Sequence, residues 1–156
     1  MTAGEACNRE VVIARPEATI IEAVTLMKHH HVGDVVVVQD QADARVPIGI
    51  LTDRDIALTL VTYQPTRLHM LRLRDMMSHD LVTCLESESV HEALKKMQSY
   101  GVRRLPVVND DGRLEGILTF DDVIELLSEE LTDLAKLVVN EQKRERVPRG
   151  YYNSSV

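Results

Sequence analysis

Apolar and polar positions follow one order of rhythms along the chain, and that order occurs twice. Val11-Val12-Ile13 is a short apolar run. Ile20, Val24 and Met27 then fall at helical spacing, and four consecutive valines follow, Val35 to Val38. Seventy residues on, Leu81-Val82-Thr83 precedes Val90, Leu94 and Met97, and then Leu105 to Val108. The helical spacing predicts an amphipathic helix in each copy. The unbroken β-branched run predicts a strand buried on both faces. Thr19-x-x-Glu22 and Ser89-x-x-Glu92 stand where the helices should start, and each fits a capping box in which hydroxyl and carboxylate satisfy free backbone N–H groups. Gly101 ends the second of these helices. The first copy has His31 at that place, so its helix end is less sharply marked.

Asn109-Asp110-Asp111-Gly112 predicts a turn and a hairpin to Leu114–Leu118. The first copy has a longer connection, Gln39 to Pro47, before Ile48 to Leu51. A second helix is expected after Thr52 and after Thr119. Residues Thr62 to Arg74 join the copies, with Pro65 breaking the preceding helix and Asp75-Met76-Met77 opening the second copy. Beyond Leu127, the spacing of Leu131, Leu134, Leu137 and Val138 extends an amphipathic helix. From Asn140 the chain turns polar. Glu141 to Arg146 reads as a solvated helix end, and Gly150 to Val156 as disordered.

The octapeptide GILTDRDI (Gly49–Ile56) returns as GILTFDDV (Gly116–Val123), with five identities. Shifted by 70 residues, Val11–Val38 overlies Leu81–Val108 without a gap, and Val12/Val82, Glu22/Glu92, Ala23/Ala93, Met27/Met97, Val32/Val102, Val37/Val107 and Val38/Val108 are identical. The chain is therefore a duplicated β-α-β-β-α unit of about 60 residues. One such unit alone buries too little surface to be more than marginally stable, so the copies should share a core. The expected layout is copy 1 over 7–64, copy 2 over 75–132, and a helical extension with a polar tail over 133–156.

Apolar residues make up 44% of the 156-residue chain and aromatics 3%, so the core is aliphatic. The net charge is −7, and the tail from Asp133 carries more Lys and Arg than acids, so the body is more acidic still. That argues against a broad nucleic-acid surface, which needs cations to displace counterions. Two cysteines make no disulfide framework and suggest a reducing compartment. Without an 18-residue apolar run or a signal-like N-terminus, a cytoplasmic protein is expected.

In the order VVxxxPxATIIEAVxLM, HVGDVVVV, GILTDRDI, then LVT, SVHEALKKM, GVRRLPVVNDDGRLEGILTFDD, the chain resembles a tandem pair of CBS (cystathionine β-synthase-type) domains, a Bateman module, over roughly residues 7–130. The resemblance implies an α+β fold of two units packed sheet to sheet about a pseudo-twofold axis, with two clefts between them. It implies a regulatory module that receives an adenosine nucleotide (AMP, ADP or ATP), with S-adenosylmethionine or NAD(H) as further ligands. It also implies no required cofactor, a homodimer of modules and an unnamed regulated protein. The chain looks like a standalone member.

Thr52/Asp55 and Thr119/Asp122 are the candidate ligand groups. A carboxylate can accept from ribose hydroxyls, while the Thr hydroxyl and free N–H groups at a helix start suit a phosphate. The same spacing is an ordinary helix cap, and both roles stay open. By the resemblance, Thr119, Asp122 and Ile117 share one cleft with Cys7, Val12, Val32 and Gly33. Thr52, Asp55 and Ile50 share the other with Met77, Val82, Val102 and Arg103. Arg103 and Arg104 are placed for phosphate contacts, with Arg54 secondary, whereas copy 1 has Gly33 and Asp34 at the equivalent positions. The clefts should therefore differ, with the stronger phosphate site near Arg103.

Alternatives with catalysis find little. His29-His30-His31 point about 100° apart in succession on a helix and do not converge on one metal ion. There is no P-loop, no Gly-rich dinucleotide loop and no nucleophile–base pair. The remaining alternative is a structural dimerisation or interaction module without nucleotide.

Overall fold

The computed structural model describes the backbone of residues 1–145 and the side chains of residues 1–143. The disorder expected for Gly150–Val156 lies outside the described residues. The chain divides into two compact units, residues 1–120 and a C-terminal unit from Asp121.

The first unit contains α1 (Ala3–Ala6), β1 (Ile13–Ala14), α2 (Ile20–His30), β2 (Asp34–Gln41), β3 (Ala44–Thr52) and α3 (Asp53–Thr62). A 3-10 turn (Pro65–Met70) follows, then α4 (Leu73–Met76), β4 (Cys84–Leu85), α5 (Val90–Tyr100), β5 (Arg104–Val108) and β6 (Leu114–Thr119). Two three-stranded sheets result, β1-β2-β3 and β4-β5-β6, each with one parallel and one antiparallel pair. The architecture is α+β, as the repeat predicts.

Both helix starts form as expected. Thr19 accepts from the Glu22 N–H and Ser89 from the Glu92 N–H, and each glutamate returns the bond. These bonds hold the Glu22 and Glu92 carboxyls below the usual glutamate range. The helix ends also coincide. Gly101 and His31 both take the left-handed conformation, at φ 65° and 54°. His31 therefore performs a glycine's task with a side chain that disfavours it.

Valines 35–38 are fully buried because they face two ways. Val35 and Val37 join Ala14, Ile20, Ala23, Met27, Leu51 and Ile56 on the helical side. Val36 and Val38 join Ile117 of the other sheet, with Ile13, Ile50 and Leu114 at the margin. The second cluster is the sheet-to-sheet interface that the two units need.

Two local readings are corrected. The first strand of each copy begins later than its apolar run, two residues on at Ile13 and three residues on at Cys84, since the register with the neighbouring strand starts there. Gln39–Pro47 is not a long connection. β2 continues to Gln41 and β3 starts at Ala44, leaving a two-residue turn with Ala42 and Asp43 at φ 42° and 64°. Two positive φ values match the twist of a tight hairpin, and no glycine marks the spot.

The copies also exchange arms, a feature absent from the pattern. Ala3 and Gly4 N–H groups donate to the carbonyls of Glu88 and Glu86 in copy 2 (2.7 and 3.0 Å). Leu73 and Arg74 donate to the carbonyls of Ala18 and Pro16 in copy 1 (2.9 and 3.1 Å). Leu73 is buried within the first copy's core. Each short helix thus closes the sheet of the opposite copy.

In the second unit α6 runs from Phe120, the last residue of the first unit, to Glu145. Val123 is buried, whereas Ile124, Leu127, Leu131, Leu134 and Val138 are exposed along one stripe. Among the described residues no helix is long and apolar enough to cross a membrane.

Candidate functional site

Glycine lets the exchanged arms approach the sheets. A Cβ on Gly49 would lie 2.6 Å from Met77 Sδ. One on Gly116 would collide with Cys7 Sγ and come within 2.9 Å of the Asn8 carbonyl oxygen. The next residues pair with the arms through the backbone. Asn8 and Ile117 exchange two N–H···O bonds of 2.9 Å, and Ser78 N–H donates to the Ile50 carbonyl (3.3 Å). The structure thus brings Cys7 to Ile117 and Met77 to Ile50.

Asn8, Glu10, Val11, Val12, Ile13, Leu26, His30 and Val32 line a hollow of about 410 Å³ beside the first arm. That volume falls in the range of small-molecule sites, about 300–1,000 Å³. Of these, the sequence predicts Val12 and Val32 at the site; Asn8, Glu10, Leu26 and His30 are added by the structure. In the second copy, Val102 and Arg103 line a hollow of about 350 Å³ with Leu94, Met97, Gln98, Gly101 and Phe120. Val82 is half-buried outside its lining.

Thr52 and Asp55 bond to each other. Thr52 N–H and its hydroxyl both donate to Asp55 Oδ2 (2.9 Å each), and Asp55 N–H donates to Thr52 Oγ1 (3.2 Å). The pair caps α3, and Asp55 Oδ1 has no hydrogen bond among the described residues. Asp53 N–H donates to the Gly33 carbonyl (3.0 Å), and Phe120 N–H to that of Arg103 (2.8 Å), so the starts of α3 and α6 are tied alike. Thr119 ends β6, half-buried. Asp122, in the first turn of α6, belongs to the second unit.

Arg104 Nε lies 2.6 Å from Asp34 Oδ2, and both side chains are largely shielded. These two residues occupy equivalent places in the two copies, so the pair links the copies across their repeat relation. Arg103 places its guanidinium over the Phe120 ring at 5.3 Å. Arg54 is exposed. Lys96 reaches Glu88 Oε1 (2.6 Å) and the Thr83 carbonyl (3.2 Å).

Burial, with the Glu88 carboxylate adding to it, pushes the Cys84 thiol up to about 11. It stays protonated near neutral pH and offers no thiolate nucleophile. Among the described residues no group of His, Cys, Asp and Glu is placed to hold a metal ion.

The CBS domain pattern matches residues 3–61 and 73–129. An uncharacterised protein of Methanopyrus kandleri is 36% identical over 81% of this chain, which spans 62% of that protein's length. A CBS domain pair crystallised with 5′-methylthioadenosine and S-adenosyl-L-methionine shares the fold, at TM-score 0.72 and 24% identity over 83% of this chain and 98% of its own. The cytosolic domain of the Mg2+ channel MgtE, crystallised with ATP, aligns at TM-score 0.65 and 26% identity over 80% of this chain and 48% of its own. The duplicated unit, its two packed sheets and the twofold match together make this chain a member of the CBS domain family, carrying a tandem pair.

Proposed function

We propose that the chain is a regulatory module that receives an adenosine-containing nucleotide between its repeats and passes occupancy to a partner protein. The observation that carries this reading is the hollow lined by Val12 and Val32, whose wall residue Asn8 is bonded to Ile117 of the opposite repeat. A ligand there touches an arm held by the other half, so it can favour one packing of the halves over another. The shift is bounded by its differential affinity for the two packings. The MgtE likeness, solved with ATP, supports an adenosine ligand.

Asp55 suits the second cleft, since Oδ2 serves the cap and Oδ1 remains for a ribose hydroxyl. Capping and binding are then two uses of one carboxylate. Ile50, Met77, Val82 and Val102 are proposed to hold the base, with Arg103, Arg104 and Arg54 as phosphate partners. Thr119, Ile117, Cys7, Val12, Val32 and Gly33 are proposed for the first cleft. The protein is read as non-catalytic and cytoplasmic, with no required cofactor.

The exposed stripe on α6 supports a second reading that coexists with the first: homodimerisation of modules. Thermal unfolding with AMP, ADP, ATP, S-adenosylmethionine and NADH in turn tests the ligand reading. A ligand at 100 times its dissociation constant adds about 2.7 kcal/mol of stability. Asp55→Asn, which preserves the cap better than alanine, should reduce that gain. No stabilisation by any of the five would leave dimerisation as the function.

A further inference from the structure

The aliphatic stripe on α6 has a repeat and a direction. Ile124, Leu127, Leu131, Leu134 and Val138 recur at alternating spacings of three and four residues, the pattern by which two helices interlock their side chains. All five are between 49% and 68% exposed. At 1.5 Å per residue the stripe runs about 21 Å along the helix. Its last three members lie beyond residue 129, where the second CBS match ends, so the repeats themselves do not call for them. Ser128 and Ala135 flank the stripe on one side, and their small side chains leave room for a second helix to come close.

Charge selects the occupant and the way it runs. From Asp121 to Asp133 the helix has six acids and no lysine or arginine, whereas from Leu134 to Lys143 it has Lys136 and Lys143 against Glu141. Lys136 reaches Asp133 of its own helix (2.7 Å), an exposed pair of small worth that leaves the polarity of the helix intact. A second copy laid parallel would set six acids beside six. Laid antiparallel, each acidic half lies beside the partner's lysine-bearing half, and the two helix dipoles oppose. We infer that the stripe is covered by α6 of a second copy of this chain running antiparallel, with Leu131 opposite the partner's Leu134 and Leu127 opposite the partner's Val138. The same patch serves both chains, so the contact closes about a twofold axis and stops at two. This inference rests on the homodimerisation reading above and names its surface and its direction.

Sedimentation of the full chain tests the surface, and disulfide trapping tests the direction. The wild type should sediment as a dimer. Leu131→Asp/Leu134→Asp should dissociate at least a hundredfold more readily and keep its thermal unfolding, since both positions are exposed. Chains carrying Leu127→Cys, mixed with chains carrying Val138→Cys and mildly oxidised, should be joined between those two positions. Leu127→Cys alone should not be joined there, because antiparallel copies of that position lie about 16 Å apart, beyond disulfide reach. The masses of the linked peptides separate these bonds from any at Cys7 or Cys84. Lys136→Glu/Lys143→Glu should weaken the dimer about tenfold at low salt, with the loss shrinking as salt rises. A dimer that survives Leu131→Asp/Leu134→Asp would overturn the inference while keeping a homodimer. Efficient joining of Leu127→Cys alone, or an unchanged affinity for the lysine variant, would do the same. A monomeric wild type would remove the homodimerisation reading as well.

Discussion

Leu26 and Lys96 stand at the same place in the two copies, one helical turn from the end of equivalent helices. The backbone treats them alike, and the chemistry beside them does not. Leu26 lines an open hollow with Val12 and Val32. Lys96 reaches back to the Thr83 carbonyl and the Glu88 carboxylate, setting a cation among polar groups. A duplication preserves what the fold needs, which is the capping pair, the valine strand and the glycine under each arm. It leaves free what a ligand would read. The Asp34–Arg104 pair carries this further, because equivalent residues of opposite charge bond to each other across the repeats. With identical residues there, two like charges would face one another.

The arms give the sharpest contrast. Gly116→Ala would drive a methyl group into Cys7 and toward the Asn8 backbone, which cannot swing aside without breaking its bonds to Ile117. It should cost about 2–3 kcal/mol in urea unfolding, in the upper range for overpacking. The nearest atoms to a methyl group at Gly49→Ala all belong to the Met77 side chain, whose Sδ and Cγ can turn away, and the change should cost about 1 kcal/mol. Equal losses would mean that the two arms are held alike.

Asp34→Ala, leaving Arg104 shielded beside a lost partner, should destabilise by about 1–3 kcal/mol, between the exposed and the buried limits for ion pairs. The exchanged double variant Asp34→Arg/Arg104→Asp should recover part of that loss, and the double-mutant cycle measures how much. A cycle with no coupling would remove the pair as a link between copies.

The helix ends predict opposite signs. His31→Gly should stabilise by about 1 kcal/mol by relieving a left-handed residue. Gly101→His should destabilise by a similar amount at φ 65°. Chemical denaturation of both variants reads the difference directly. The smallest effect is acid-dependent. The carboxyls of Glu22 and Glu92 titrate below their ordinary value of 4.5, through bonds to Thr19 and Ser89 respectively. Their contribution is therefore present above that value and fades as pH falls through the lowered one. Glu22→Gln and Glu92→Gln should each flatten the acid limb of the stability curve below about pH 4.5, and leave its slope near neutrality unchanged.

Much of this was legible in the sequence because the signals are local. Thr19/Glu22, Ser89/Glu92 and the four valines each predict their element from a few neighbouring residues, and the 70-residue echo predicts two units with one core. The arm exchange was not legible, since Ala3 and Leu73 mate with carbonyls across the repeat boundary and carry no periodic mark. The hairpin at Ala42-Asp43 escaped because its positive φ values fall on residues other than glycine. In the site, Val12 and Val32 were visible through their duplication. Asn8 and Leu26 were not, because copy 2 has Ser78 and Lys96 in their places, and Glu10, with Asp80 as its counterpart, lies just outside the aligned run.

The claim that the grooves between the copies receive an adenosine ligand is tested most directly by titrating AMP, ADP, ATP and S-adenosylmethionine in turn into the full chain and into its Asp55→Asn variant in a calorimeter. The account predicts that at least one binds saturably and is weakened about tenfold in the variant, the scale of one hydrogen bond to a charged carboxylate. Equal affinities in the two proteins, or no binding of any of the four, would contradict it.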